Sequence, residues 1–175
     1  MKILLTGATG FIGTWAAQRL TKDGHEVVGM DLIAPEAGQV IPMSRFIRGD
    51  IRDRGALENA MKDCDAILSL AAAHHDFGIE ERTYFEINEK ASQLICDVAD
   101  SFSIKRIAWF SSCAVYGDCL PPREESSVPA PNNHYGASKL AGEKVFRQWA
   151  ALGLGRSCLC IRPTITFGPG NVANM

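Results

Sequence analysis

The first thirteen residues of the chain constrain its fold more than any other segment. A short apolar run at residues 3–5 is followed at once by Gly7, Gly10 and Gly13, and a helix-like stretch extends from Phe11 to Leu20. Glycine lets a backbone turn tightly and approach a ligand, and a helix N-terminus offers free N–H groups and a positive dipole end. The spacing is G-x-x-G-x-x-G rather than the more usual G-x-G-x-x-G. This strand, turn and helix predict a binding place for a diphosphate.

An acidic residue follows the second apolar run. Residues 26–30 predict a buried strand, and Asp31 stands at its end, roughly twenty residues beyond the glycines. An acid at this position hydrogen-bonds the adenosine ribose hydroxyls and repels a 2′-phosphate. The sequence therefore predicts NAD as the cofactor in preference to NADP.

Apolar runs and helical periodicity alternate along the rest of the chain. This alternation is typical of parallel strands joined by crossover helices. We predict one α/β domain over residues 1–175, a Rossmann-type doubly wound parallel sheet of about six strands with helices on both faces. The predicted strands are 3–5, 26–30, 44–48, 65–70, 105–110 and 157–161, and the predicted helices are 11–20, 54–61, 80–101 and 135–152.

Composition narrows the functional classes. The 175 residues are 46% hydrophobic and 22% charged with a net charge of −2, which gives no reason to expect a nucleic-acid or membrane partner. The six cysteines (Cys64, Cys96, Cys113, Cys119, Cys158 and Cys160) lack zinc-site spacing, and no signal peptide precedes the first strand. We therefore expect free thiols, no metal and a cytoplasmic location. We interpret His74 and His75 as loop residues near the ligand.

The sharpest chemical signal is a tyrosine followed four residues later by a lysine. Tyr135 and Lys139 share one face of a predicted helix, so the phenol and the ammonium point the same way. A nearby ammonium favours the phenolate, lowers the pKa of the phenol and lets tyrosine act as a base near neutral pH. The small residues Gly136 and Ala137 are expected to leave the helix start open to a ligand.

A serine completes this constellation. Ser112 ends a strand that we expect to lie beside the strand of the glycine turn, at the sheet edge where open α/β sheets bind their ligands. A hydroxyl there can hydrogen-bond a substrate oxygen and share its proton with Tyr135.

Several motifs occur together in one order along almost the whole chain. They are Thr6–Gly13 (TGATGFIG), Asp31, Gly49–Asp53 (GDIRD), Leu70–Ala72, Asn88, Ser111–Gly117 (SSCAVYG), Tyr135-x-x-x-Lys139, and Arg162-Pro163 with Phe167–Pro169. Together they resemble the extended short-chain dehydrogenases/reductases, the NAD-dependent epimerase/dehydratase family that acts largely on nucleotide sugars.

The resemblance implies a role for each matching residue. Tyr135 would be the catalytic base, Lys139 would bind the nicotinamide ribose, and Ser112 would orient the substrate hydroxyl. Asp50 and Ile51 would flank the adenine. The remaining cofactor contacts would come from the glycine turn and the strand ends, namely Gly7, Gly10, Phe11, Ile12, Gly13, Asp31, Leu70, Ala71 and Ala72. Asn88, in the predicted helix at 80–101, would support the cofactor site.

The resemblance also implies a reaction. A sugar hydroxyl would be oxidised to a ketone by hydride transfer to NAD and reduced again on its other face, which is the work of a nucleotide-sugar epimerase. Sugar dehydratases of the family carry an Asp-Glu pair after the catalytic serine, where this chain has Cys113-Ala114, so we rank a dehydratase lower. An NAD(P)-dependent dehydrogenase or reductase of the same family remains an alternative.

Length raises a second alternative. The resemblance implies a smaller C-terminal substrate domain after the cofactor domain, and we expect that domain to be absent from this 175-residue sequence. The chain could therefore be an NAD-binding fragment without catalysis. The helices at 80–101 and 135–152 have apolar residues to spare, which makes a homodimer a further expectation.

Overall fold

The computed structural model describes residues 1–74, 78–118 and 122–171. His75, whose position near the ligand was predicted, and Cys119, predicted to be a free thiol, lie outside the described residues. All the strands and helices predicted from the sequence lie within the described residues.

Six parallel strands form one sheet. They are β1 (Lys2–Thr6), β2 (Glu26–Asp31), β3 (Arg45–Arg48), β4 (Ala66–Ser69), β5 (Arg106–Phe110) and β6 (Ser157–Ile161). Their order across the sheet is β3-β2-β1-β4-β5-β6. β2 and β3 therefore extend the sheet on one side of β1, and β5 and β6 extend it on the other side of β4. The order of the strands reverses between β1 and β4. In such sheets this switch point is where the carboxyl ends leave a crevice for a ligand.

Helices cover both faces of the sheet. They are α1 (Phe11–Lys22), α2 (Arg54–Met61), α3 (Glu81–Phe85), α4 (Ala91–Ser101) and α5 (His134–Ala151). Leu5 and Val27 pack towards Ala17 of α1, whereas their neighbours Leu4 and Val28 belong to the larger core that α2, α4 and α5 complete. Because side chains alternate along a strand, consecutive apolar residues supply both cores. The predicted doubly wound α/β fold is confirmed.

Two local structures were not predicted. The helix expected over 80–101 is divided into α3 and α4 by a π-helical turn at Glu86–Lys90, where the Ala91 N–H donates to the Glu86 carbonyl. A 3-10 turn, Cys113–Tyr116, follows β5 directly. The first contains Ile87 and the second follows Ser112, and both of these residues line the cavity described below.

The expected position of the serine strand was wrong. β5 pairs with β4 and β6, and β4 lies between β5 and β1. Ser112 is therefore two strands away from the glycine turn rather than next to it. A ligand that reaches both must extend across the carboxyl end of β4.

Candidate functional site

The glycine turn joins β1 to α1 with little space for side chains. Gly7 has a φ of +70°, and a Cβ there would lie 2.8 Å from the Ala71 nitrogen. A Cβ on Gly13 would overlap the Gly7 carbonyl oxygen and lie 2.9 Å from the Cα of Ala8. These two glycines are therefore required by the fold itself, because the segment after β4 packs on Gly7 and the start of α1 packs on the turn at Gly13.

Gly10 differs from the other two glycines. It precedes α1 with ordinary extended dihedrals, and a Cβ there would approach only the Gly7 carbonyl, at 3.4 Å. Gly10 is exposed and lines the cavity described below. Its missing side chain leaves room on the ligand side, at a helix N-terminus whose first turn contains no acidic residue. Such a helix start suits an anionic group.

Asp31 lies at the carboxyl end of β2, beside this turn. One of its carboxylate oxygens accepts a hydrogen bond from the Thr9 N–H at 3.1 Å, and the other accepts one from the Ile33 N–H at 3.4 Å. The carboxylate is thereby held at the cavity wall, where it can also accept a hydrogen bond from a ligand hydroxyl.

A cavity of about 690 Å³ runs along the carboxyl ends of the strands. Its volume is within the range of small-molecule sites. All the predicted site residues except Asn88 line it, namely Gly7, Gly10, Phe11, Ile12, Gly13, Asp31, Asp50, Ile51, Leu70, Ala71, Ala72, Ser112, Tyr135 and Lys139. His74, predicted near the ligand, also lines it.

The segment after β4 forms the middle of the cavity wall. The Thr6 hydroxyl accepts hydrogen bonds from the N–H groups of Leu70 and Ala71, each at 3.2 Å. Asn88 lies behind this wall, fully buried, and exchanges two 3.1 Å hydrogen bonds with the backbone of Ala73. Its amide also donates to the Ser138 hydroxyl at 2.9 Å. Asn88 therefore connects the wall to α5 and supports the site without lining the cavity.

Asp50 and Ile51 close the far end of the cavity, after β3. The Asp50 carboxylate pairs with Arg52 at 2.6 Å. The hydrogen bond from this guanidinium lowers the pKa of Asp50. The carboxylate is therefore ionised at neutral pH and oriented by a neighbour two residues away.

Ser112 is the N-cap of the 3-10 turn after β5. Its hydroxyl oxygen accepts a hydrogen bond from the Ala114 N–H at 3.1 Å. Because that bond uses an oxygen lone pair, the hydroxyl proton can still be donated to a substrate oxygen.

Tyr135 lies in the first turn of α5, which Asn133 caps by accepting a 2.7 Å hydrogen bond from the Gly136 N–H. The tyrosine ring packs against the ring of Tyr84 with 6.3 Å between centroids. A Cβ on Gly136 would overlap the Ala114 carbonyl oxygen. The expectation that Gly136 leaves space for a ligand was therefore wrong, because the 3-10 turn of Ser112 fills that space. Gly136 instead lets the start of α5 pack against the 3-10 turn that follows Ser112.

Lys139 follows one helical turn later and is 1% exposed. Its ammonium nitrogen lies 3.8 Å from the ring centroid of Trp109 on β5. Burial lowers the pKa of Lys139 to about 7, while the charge of Glu143 acts to raise it. The buried ammonium therefore loses its proton more readily than that of an exposed lysine.

An ion-pair network lies behind these residues. Arg162, just after β6, donates to both carboxylate oxygens of Glu143 at 2.8 and 2.7 Å and to the Tyr116 hydroxyl at 2.7 Å. Burial is the largest single influence and acts to raise the pKa of Glu143, but the hydrogen bonds from Arg162 and Ser111 and the charges of Arg162 and Arg147 together lower it. Since Glu143 is on α5 and Tyr116 on the 3-10 turn, Arg162 joins the two elements that carry Tyr135 and Ser112.

Comparison with known proteins shows the family of this chain. Residues 3–175 match the model of the NAD dependent epimerase/dehydratase family. The chain belongs to this family. Among its curated relatives is the N-acetyl-alpha-D-glucosaminyl-diphospho-ditrans,octacis-undecaprenol 4-epimerase of Escherichia coli O157:H7, 33% identical over 99% of this chain and 51% of the relative. Another is the UDP-glucose 4-epimerase of Lacticaseibacillus casei, 33% identical over 93% of this chain and 50% of the relative.

Solved structures agree with the family assignment. MoeE5 in complex with UDP-glucuronic acid and NAD has a TM-score of 0.91 and 29% identity, covering 100% of this chain and 58% of that one. The UDP-glucuronic acid 4-epimerase of Bacillus cereus in complex with NAD has a TM-score of 0.83 and 29% identity, covering 97% and 58%. The chain spans about half the length of the curated relatives it matches. The predicted family and its cofactor class are confirmed.

Several cavity residues of this epimerase/dehydratase family member were not predicted. They include Met30, Leu32, Gly49, Ile87, Phe110, Ser111, Pro163, Thr164, Thr166 and Asn171. The stretch from Pro163 onward reaches the cavity because backbone hydrogen bonds, such as that from the Cys113 N–H to the Pro163 carbonyl, attach it to the Ser112 segment. The motif Arg162-Pro163 was noticed in the sequence, but its contacts are formed between distant residues.

Residues 1–74, 78–118 and 122–171 contain neither a metal-binding cluster nor a membrane-spanning helix. No three of their histidine, cysteine or acidic side chains are grouped so as to hold a metal ion. No helix among them has the length and apolarity needed to span a bilayer.

Proposed function

We propose that this chain serves an NAD-dependent nucleotide-sugar epimerase, in which a sugar hydroxyl is oxidised and the ketone is reduced on its other face. The observation that carries the proposal is the shared cavity, where the glycine turn and Asp31 lie at one end and Ser112, Tyr135 and Lys139 at the other. The relatives named as 4-epimerases of UDP-glucose and of a diphospho-undecaprenol-linked sugar support it. We further propose that residues 1–175 are the cofactor domain, with substrate selection made elsewhere in the complete enzyme.

The residues present fit NAD. The N-terminal turn of α1 and the bare backbone at Gly10 suit the diphosphate, and the carboxylate of Asp31 suits a free ribose hydroxyl. Lys139 would hold the second ribose. When bound, NAD accepts a hydride from the sugar carbon and later returns it.

The proton transfer is assigned to the chain's own side chains. The Tyr135 phenolate takes the proton of the sugar hydroxyl, and the positive charge of Lys139 one turn away favours that phenolate. The Ser112 hydroxyl donates to the same sugar oxygen, which fixes the hydroxyl toward Tyr135. When the ketone is reduced, Tyr135 returns the proton.

Elimination of water is less well supported. A departing hydroxide needs an acid to protonate it, and the residues after Ser112 are Cys113 and Ala114. Neither offers a carboxyl group. This favours epimerisation over dehydration.

Calorimetric titration of the 175-residue chain with NAD and, in parallel, with NADP tests the cofactor assignment. We expect binding that is selective for NAD. Equal affinity for both would refute the role given to Asp31, and a folded chain that binds neither would refute the cofactor site.

A tyrosine substitution tests the chemistry. With NAD present, we expect the complete enzyme to convert UDP-glucose to its 4-epimer, observed from the anomeric proton NMR signals, and we expect Tyr135→Phe to lose that conversion while its NAD affinity is kept. Tyr84→Phe is the matched control, because its ring packs against Tyr135 but does not line the cavity. Turnover retained by Tyr135→Phe would refute the assignment of the base. NAD binding without any turnover in the wild-type chain would favour a cofactor-binding fragment.

A further inference from the structure

The surroundings of Lys139 contain an aromatic residue that the proposed reaction does not use. Trp109 on β5 is 0% exposed and lies with its ring face 3.8 Å from the Lys139 ammonium. Phe146, two turns further along α5, packs on the same indole with ring centroids 5.0 Å apart. The indole is therefore fixed between the core and the ammonium.

The fold makes room for the indole at a specific place. Gly142 lies on α5 between Lys139 and Phe146, and a Cβ there would come within 2.9 Å of the indole Cζ2 atom and overlap the Asn88 carbonyl oxygen. A larger residue at this position would push the ring away from the lysine. Trp109, Gly142 and Asn88 thus pack at close range directly behind the cavity wall.

Packing alone does not account for the tryptophan. Its indole N–H is buried with no hydrogen-bond partner among the described residues. A buried unpaired donor costs free energy, whereas a phenylalanine or leucine would fill a core without that penalty. What tryptophan offers over both is the strongest π face for a cation.

Few charges stabilise the ammonium. Glu143 on α5 and Cys160 on β6 are the titratable groups that act on it to raise its pKa. The Glu143 carboxylate, however, also pairs with Arg162 at 2.7 Å and Arg147 at 3.6 Å. β5 contributes no titratable group at this point, only the indole face.

We propose that Trp109 is a positioning residue for Lys139, whose indole face holds the ammonium charged and fixed beside the cavity. This inference rests on the proposed function, because it assigns the ammonium to the second ribose of NAD and to the Tyr135 phenolate. A neutral or displaced lysine would neither donate fully to a ribose hydroxyl nor favour the phenolate. The indole therefore acts through Lys139 and not on the substrate.

The contact itself is tested without cofactor. The chain has three tryptophans, so a ¹H–¹⁵N NMR spectrum of the labelled chain shows three indole N–H signals, assigned by single substitutions to phenylalanine. We expect the Trp109 signal to move with pH in a transition near pH 7, and the Trp149 and Trp15 signals not to follow it. In Lys139→Met the transition should disappear. A transition that persists in Lys139→Met, or a Trp109 signal with the same position in the wild type and in Lys139→Met at every pH, would overturn the proposal.

The functional consequence is tested by the pH dependence of NAD binding. In Trp109→Leu the pH at which affinity is lost should fall by about one unit relative to the wild type, and in Trp109→Phe by less. Phe146→Leu is the matched control, since it removes a buried ring from the same cluster without removing the face that the ammonium contacts. It should lower thermal stability and leave the pH midpoint unchanged.

The results distinguish a failure of the Trp109 proposal from a failure of the cofactor assignment. If Trp109→Leu and Phe146→Leu weaken NAD binding equally at every pH, Trp109 is a packing residue and the proposal fails. If the Trp109 signal titrates with Lys139 but the wild-type chain binds no NAD, the cofactor assignment fails while the contact between indole and ammonium stands.

Discussion

The buried pair of Glu143 and Arg162 gives the strongest stability prediction. The Glu143 side chain is 1% exposed and that of Arg162 is 12% exposed, so water screens their attraction little. Glu143→Gln removes the negative charge and leaves the guanidinium buried without its counter-charge. Breaking such a pair from one side costs about 3–5 kcal/mol, and we expect about 3 kcal/mol because the amide oxygen still accepts one hydrogen bond. For a chain of this size that corresponds to a fall of about 6–12 °C in the melting temperature.

The assay is urea unfolding followed by far-ultraviolet circular dichroism at pH 7. Arg147→Gln is the control, because Arg147 approaches the same carboxylate at 3.6 Å but is 61% exposed. An exposed pair contributes about 0–1 kcal/mol, so this variant should unfold close to the wild type. A Glu143→Gln variant within 1 kcal/mol of the wild type would refute the reasoning.

The pH dependence of the same variant provides an internal check. The pKa of Glu143 is lowered in the folded chain from its ordinary value of 4.5. A lowered pKa means that the carboxylate contributes stability above pH 4.5, and that this contribution is lost as the pH falls through the folded value. The difference in unfolding free energy between the wild type and Glu143→Gln should therefore be constant near neutral pH and shrink in acid. A difference that grows in acid would contradict this.

Two further predictions concern the cofactor end of the cavity. Gly13→Ala should destabilise the chain by about 3 kcal/mol, because its Cβ would overlap the backbone of the turn. Gly10→Ala should change the unfolding free energy by less than about 0.5 kcal/mol but weaken NAD binding about tenfold or more, because its methyl group would lie where the diphosphate approaches. Equal effects of the two variants on both urea unfolding and NAD calorimetry would contradict this distinction. Asp31→Asn should weaken NAD binding about tenfold and abolish the discrimination against NADP, because the amide no longer repels a 2′-phosphate. An unchanged ratio of the NAD and NADP dissociation constants would show that Asp31 only accepts hydrogen bonds from the Thr9 and Ile33 N–H groups.

Most of the fold could be predicted because its signals are local. The helix bounds of α2 and the strand bounds of β6 match the sequence-based ranges, since apolar runs and caps such as Asp53, which accepts from the Gly55 and Ala56 N–H groups, are encoded within a few residues. The glycine turn and the Tyr135 and Lys139 pair are likewise short-range patterns. Their assigned roles stay predictions, although the residues share one cavity.

The errors arose where position depends on distant neighbours. The π-helical turn that contains Asn88 was expected as ordinary helix, since its helical periodicity gave no sign that Asn88 would bond to Ala73 and Ser138. Gly136 was expected to face a ligand and instead packs on Ala114. In each case, the partner is many residues away and no local pattern identifies it.

The sequence by itself determined the class of fold, the family and the cofactor, and it predicted the residues that we propose for proton transfer. These follow from residue types at short spacings, where backbone geometry alone places one residue relative to the next. Only the tertiary structure decided that β4 separates Ser112 from the glycine turn, that Arg162 joins Glu143 to Tyr116, and that the Trp109 ring lies under the Lys139 ammonium. Those contacts join residues 19 to 46 positions apart or on different strands and helices, and they exist only once the sheet order and the packing of α5 are fixed.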